Sequence, residues 1–237
     1  MILMAIDEIR ARLQRLGNRQ SAQALQRFFK TGPGEYGESD LFYGVRAPEL
    51  RKLAREYQSI PAGDVRRLLK SPFHEERLLA LLVLMRVYAR GDQTARKSVY
   101  ETYLGHTPFI NNWDLVDVSA PHIVGDYLLD KSRKPLYLLA RSSSLWERRI
   151  AIVATFRFIR RGEILDTLRI SEILLLDEED LIHKAVGWML REAGKRDLAG
   201  AEDFLKKHYR TMPRTMLRYA IEKFPESRRQ MYLTGRI

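Results

Sequence analysis

Apolar residues return along this chain every three or four positions. Ile6, Ile9, Leu13 and Leu16 do so near the start, and Leu78, Leu81, Leu82, Met85 and Tyr88 in the middle. That step matches the helical period, so these segments predict amphipathic helices. Period-two alternation bounded by tight turns is hard to find. Glycine and proline fall between the periodic segments, at Gly17, Gly32, Pro33, Gly34, Pro48, Pro61, Pro72, Gly91, Pro108, Pro135, Gly162, Pro213 and Pro225. They read as helix stops and first-turn starts. The long irregular stretch runs from Thr31 to Asp40 and predicts a loop. No segment reads as an interdomain linker, so one domain over residues 1–237 is expected.

A weak internal repeat underlies this pattern. SPFHEERLLALLVLMRVYARG (71–91) aligns without gaps on SSSLWERRIAIVATFRFIRRG (142–162), with Ser first, Glu-Arg in the opening turn and Arg-Gly at the close. The offset of 71 is two periods of 35 to 36 residues. Shifts of 36 place NNWDLVD (111–117) on ERRIAIV (147–153), and DLIHKAVGWML (180–190) on SLWERRIAIVA (144–154). Two-helix repeats of that length mark HEAT-like solenoids. The expected fold is therefore all-α, a right-handed superhelical α-solenoid of HEAT-like helix pairs. In this register Trp113, Arg149 and Ala185 are equivalent. Asp117 follows Trp113 by four residues and Trp188 follows Ala185 by three, so Trp113, Asp117, Arg149 and Trp188 should share one face.

Composition narrows the partner. Apolar residues make up 45% and charged residues 30% of 237, as in ordinary globular proteins. Lys and Arg number 41 against 30 Asp and Glu, a net charge of +11, which points to a polyanion such as nucleic acid. The absence of cysteine excludes disulfides, thiolate ligands and cysteine nucleophiles, and suits the cytoplasm. The opening MILMAIDEIRARL lacks a basic leader and a cleavage site, and reads as the first helix. The longest apolar run, Leu78 to Met85, is too short to cross a bilayer.

Asp117 is a lone acid among Leu115, Val116 and Val118, in a helix interrupted by Pro121. A buried carboxylate is costly unless paired or used, so it reads either as a structural ion pair or as a functional group. Asp114 sits in the first helical turn, where the dipole favours an acid. Trp146, beside Leu145, reads as core. Trp113 and Trp188 share their face with an acid and an arginine, and exposed aromatics can stack on a base, pack on a sugar or face a cation. Cations recur from repeat to repeat: Arg148, Arg149, Arg157, Arg160 and Arg161, then Lys184, Arg191, Lys195 and Arg196, then Lys206, Lys207, Arg210, Arg214 and Arg218. Such recurrence predicts a stripe along a phosphate backbone, with Arg149 as the foremost phosphate or carboxylate contact. There is no phosphate-binding glycine loop and no dinucleotide fingerprint. His74, His106, His122, His183 and His208 form no metal-type pair, and His183 reads as surface.

The runs NNWDLVDVSAPHIVG (111–125), LWERRIAIV (145–153), LIHKAVGWMLRE (181–192), LFYGVRAPELRKLA (41–54) and MPRTMLRYAIEKFP (212–225) resemble the AlkD-like DNA alkylation repair family. The resemblance spans nearly the whole chain. It implies an α-solenoid and a monofunctional DNA glycosylase that excises cationic alkyl-purines, chiefly N7-alkylguanine and N3-alkyladenine, from duplex DNA without a metal or organic cofactor. It implies Asp117 as the catalytic carboxylate, Trp113 and Trp188 as cleft tryptophans and Arg149 as the cleft arginine. Arg148, Arg46, Phe28, Lys184, Arg191, Arg214 and Arg218 complete the expected DNA contacts. Arg46 stands where some members carry Gln, and Phe28 where some carry Tyr. The resemblance also implies reading of the lesion without base flipping.

The chemistry expected is rupture of C1′–N9. The alkylated base is already cationic and leaves neutral, so one carboxylate suffices where glycoside hydrolases generally need two. Asp117 would answer the oxocarbenium-like charge on the sugar. No lysine on the shared face suggests a Schiff base, so no lyase activity is expected. A cytoplasmic, nucleoid-associated monomer is expected. The rival readings are a non-catalytic solenoid that binds damaged or branched DNA and a protein-interaction scaffold.

Overall fold

The computed structural model describes residues 5–237. The regular structure of the described residues is helical, with no strand and an isolated bridge between Leu41 and Phe73. This is the all-α architecture of helix pairs expected of an α-solenoid. Met1 to Met4, counted in the expected first helix, lie outside the described residues.

The chain divides into two compact units, Met1–Leu115 and Val116–Ile237. The first holds α1 (Ala5–Leu16), α2 (Arg19–Phe28), α3 (Ala47–Glu56), α4 (Ala62–Leu69), α5 (His74–Arg90), α6 (Gln93–Leu104), a 3₁₀ turn (Thr107–Phe109) and the start of α7 (Trp113–Ala120). The second continues α7 through a π-turn (Pro121–Gly125). It adds α8 (Lys134–Leu139), α9 (Leu145–Ala154), α10 (Phe156–Ile159), α11 (Leu165–Ile173), α12 (Asp180–Gly194), α13 (Leu198–His208), α14 (Arg214–Ala220) and α15 (Glu226–Thr234).

Local chemistry sets the helix ends. Asn18, Asp92 and Asp197 cap α2, α6 and α13, each side-chain oxygen accepting from the backbone N–H three residues on at 2.9 Å. Pro121 has no N–H to give the Asp117 carbonyl four residues earlier, and α7 passes into the π-turn there. The loop from Thr31 to Asp40 closes on itself. Glu35 and Glu38 carboxylates accept from the N–H groups of Gly32 and Gly34, and Asp40 ends the loop inside the protein.

In the first unit the core is built from Leu50, Leu53, Leu68, Leu69, Leu79, Leu81 and Tyr103. In the second it is built from Ile150, Ile152, Phe158, Ile182, Val186, Met189, Met216 and Leu217. There α12 packs on α14 so closely that a Cβ on Gly187 would meet the Met216 carbonyl oxygen at 2.5 Å.

The repeat of offset 71 is visible in atomic detail. Phe73 N–H donates to Ser71 Oγ at 3.1 Å, and Ser144 N–H to Ser142 Oγ at 3.1 Å. Arg77 Nη1 donates to the Ser71 carbonyl at 2.9 Å, and Arg148 Nη1 to the Ser142 carbonyl at 3.1 Å. Ala80 and Ala151, equivalent in the alignment, are both fully buried. Each unit thus opens its central helix with the same serine turn and the same arginine strap.

Candidate active site

The second unit carries Asp117, Arg149 and Trp188. Arg149 Nε donates to Asp117 Oδ1 at 2.9 Å and Nη2 to Oδ2 at 2.8 Å. Nη1 donates to the Leu181 carbonyl at the start of α12. The arginine is 5% exposed, while the Asp117 side chain keeps 20% of its surface open. A fork-to-fork pair fixes both the position and the plane of the carboxylate. The sequence placed these two residues on one face, and here they touch. Arg149, expected at a phosphate or a carboxylate, is buried with its guanidinium turned to the Asp117 carboxylate and α12.

Trp188 is half-buried on α12, its ring 5.8 Å from that of Phe156 and tilted by 44°. The exposed Arg160 places its guanidinium carbon 4.8 Å from the centre of the Phe156 ring. Arg160, Phe156 and Trp188 form a row of cation and aromatic faces. Sequence reading took Arg160 as one of a basic run and missed Phe156. The signal was their i, i+4 spacing, which sets two side chains on one helix face.

The first unit carries Trp113 and Phe28. Trp113, half-buried, meets Phe28 edge-on at 5.7 Å and Phe29 at 5.5 Å. Phe28 is 61% exposed, unusual for a phenylalanine and suited to contact with a partner. Asp114, expected as a dipole-favoured acid, also accepts from His74 Nε2 at 2.8 Å. Arg46 is exposed at the start of α3, after a loop pinned by the buried Glu75. That carboxylate accepts from the backbone N–H groups of Tyr43, Gly44 and Val45 at 2.8 to 3.1 Å. Gly44 has φ of +83°, and a Cβ there would lie 2.1 Å from the Asn18 carbonyl oxygen. The turn therefore requires glycine.

The recurring cations separate into two groups. Arg148 pairs with Asp177 at 2.6 Å, Lys184 with Asp180 at 2.7 Å and Arg157 with Asp126 at 2.6 Å. Arg191 pairs with Glu222 and Glu192. Several cations of the expected phosphate stripe are thus held in ion pairs, Lys184 within α12 and Arg148, Arg157 and Arg191 with acids outside their own helices. Arg46, Arg160, Arg161, Arg196, Arg214 and Arg218 are exposed, with Arg214 donating to the Leu233 carbonyl at 3.0 Å. Trp146, expected in the core, is half-buried. Among the described residues no three His, Asp or Glu side chains gather as a metal-binding group, and no helix is long and apolar enough to cross a membrane.

These helices, paired along the chain, define a helical-repeat protein. The model of the DNA alkylation repair enzyme family matches residues 9–224, and the chain belongs to that family. No curated protein sequence matches significantly. Among solved structures, one described as a predicted DNA alkylation repair enzyme from Enterococcus faecalis is similar, with a TM-score of 0.68. The identity is 18%, over 89% of this chain and 97% of that one. At that identity the likeness speaks to the fold.

Proposed function

We propose that the protein is a monofunctional DNA glycosylase that hydrolyses the N-glycosidic bond of cationic alkylated purines, N7-alkylguanine and N3-alkyladenine, in duplex DNA. The observation that supports this reading most is the carboxylate of Asp117, held at both oxygens by a buried arginine and still partly open to solvent. Both carboxylate oxygens accept from the guanidinium, so in this geometry Asp117 has no proton to give as a general acid. The proposed substrate needs none, because its leaving group already carries the positive charge. The task left to the protein is to place fixed negative charge where the deoxyribose becomes cationic.

In this reading Asp117 stabilises the oxocarbenium-like sugar and orients the attacking water. Arg149 holds Asp117 in place and takes no part in phosphate binding. Trp113, one turn earlier on α7, and Trp188 on α12 offer their ring faces to the cationic sugar. Arg46, Arg214 and Arg218, exposed and basic, take phosphates, and Phe28 packs on the duplex. Product is an abasic site, released without strand cleavage.

The same ion pair also favours a second reading, a non-catalytic DNA-binding repeat protein in which Asp117 serves only to seat Arg149. The two are separated by chromatography of bases released from methylated duplex DNA and from uracil-containing duplex. Release of methylated purines without uracil supports the glycosylase. Release of neither, with duplex still bound, supports the binding protein.

A further inference from the structure

His74 plays no part in the site as described, yet the fold surrounds it with charge. It is 2% exposed at the start of α5. Its Nε2 lies 2.8 Å from Asp114 Oδ2 and its Nδ1 lies 3.4 Å from Asp40 Oδ2. Ionised carboxylates only accept hydrogen bonds, so a ring facing one at each nitrogen must donate from both. The ring that does so is the imidazolium. Arg77 Nη2 donates to the same Asp40 oxygen at 2.6 Å, so two cations face two acids and the charges balance. The imidazole also stacks on the rings of Phe29, at 4.7 Å, and Phe42, at 4.9 Å, whose faces favour a cation.

Two of the four contacts of this ring, Asp114 and Phe29, lead to Trp113. Asp114 is its chain neighbour, and Asp114 Oδ1 is buried with no hydrogen-bond partner among the described residues, which leaves the acid to His74. Phe29, stacked on His74, also lies against the Trp113 ring at 5.5 Å. The other charged groups beside His74 on α5 are turned elsewhere. Glu75 takes the Tyr43–Val45 backbone, and Glu76 takes Arg10 and the Tyr43 hydroxyl.

We propose that His74 is a buried imidazolium and the positioning residue that fixes Trp113, through Asp114 on one ring nitrogen and through Phe29 on its face. Its bearing on base release rests on the reading of Trp113 given above; its charge state does not. Burial lowers the affinity of this ring for its proton, but the hydrogen bonds to Asp114 and Asp40 outweigh it and hold the pKa above the ordinary histidine range. Loss of the proton would leave two acids facing one arginine and would free the start of α7.

The test is nitrogen-15 NMR of the folded protein. The imidazole resonances of His74 should show both nitrogens protonated at neutral pH, with a titration midpoint above the ordinary histidine value of about 6.5. The Trp113 indole N–H peak, identified by Trp113→Phe, should move with that same midpoint. Asp114→Asn, at a side chain 20% exposed, should lower both midpoints together. A neutral His74 tautomer at neutral pH would overturn the proposal. So would a Trp113 peak that stays still while His74 titrates, or midpoints that part company in Asp114→Asn. None of these readouts requires enzymatic activity, so a protein that releases no base would leave the proposal standing while sinking the glycosylase reading.

Discussion

Arg149 donates to both oxygens of Asp117, at 2.9 and 2.8 Å, and spends its remaining Nη on the backbone of α12. One side chain thereby joins α7, α9 and α12 at the acid proposed for catalysis. It also changes what a substitution at either position means. Removing one partner of a buried pair strands the other, so an effect on activity has to be separated from an effect on stability.

Arg149→Ala should therefore lower base release while leaving the salt dependence of duplex binding unchanged, because no phosphate contact is lost. Arg218→Ala should do the reverse. The slope of log affinity against log salt should fall by about 0.9 for a single lost phosphate contact. Binding titrations at several salt concentrations decide this. A reduced slope in Arg149→Ala would return that residue to the phosphate stripe.

Stability should depend on pH through His74 and Asp40. The folded pKa of His74 is raised, so its contribution is fully present below its unfolded value, about 6.5, and is lost as pH rises through the folded value. Burial alone would raise the pKa of Asp40, but hydrogen bonds from His74 and Arg77 lower it. Its contribution is present above about 3.9, the unfolded value, and is lost as pH falls through the folded one. Urea unfolding across pH should show the stability difference between the native protein and His74→Gln shrinking on the alkaline side. A difference that grows with pH would contradict the imidazolium.

Gly187→Ala should destabilise the second unit by about 1 to 3 kcal/mol, the usual cost of overpacking. The added methyl would meet the Met216 carbonyl oxygen and the Tyr219 Cβ, each at 2.5 Å. Trp188 is the next residue, so α12 can relieve the clash only by moving that ring. Denaturation midpoints check the cost, and a neutral substitution would mean that α12 and α14 are less closely seated than described.

Much of this architecture was legible from spacing. The offset of 71 proved to be a shared serine turn and arginine strap, and the 36-residue shift placed Asp117 near Arg149. Spacing could show which residues share a face but not which of them pair. Arg148, Arg157 and Arg191 therefore read as a phosphate stripe although acids about thirty residues away in sequence neutralise them. The run His74, Glu75, Glu76, Arg77 is wholly polar in sequence, yet all four are buried. Each is matched to a partner on a loop or helix that is distant in sequence, and periodicity carries no information about such partners. Phe156 was lost for a related reason: an apolar residue in an apolar helix gives no sign that a cation lies over its ring.

The central claim is that the charge of Asp117 drives bond rupture. Its most direct test compares the native protein with Asp117→Asn on duplex DNA carrying N7-methylguanine and N3-methyladenine, counting free bases against spontaneous loss. Asparagine keeps the shape and one acceptor for Arg149, and the stability cost should be about 1 to 3 kcal/mol, checked by thermal unfolding. The prediction is a folded, DNA-binding variant with no release above background, beside steady release by the native protein. Equal release by the two would contradict the account and leave Asp117 as the anchor of Arg149 alone.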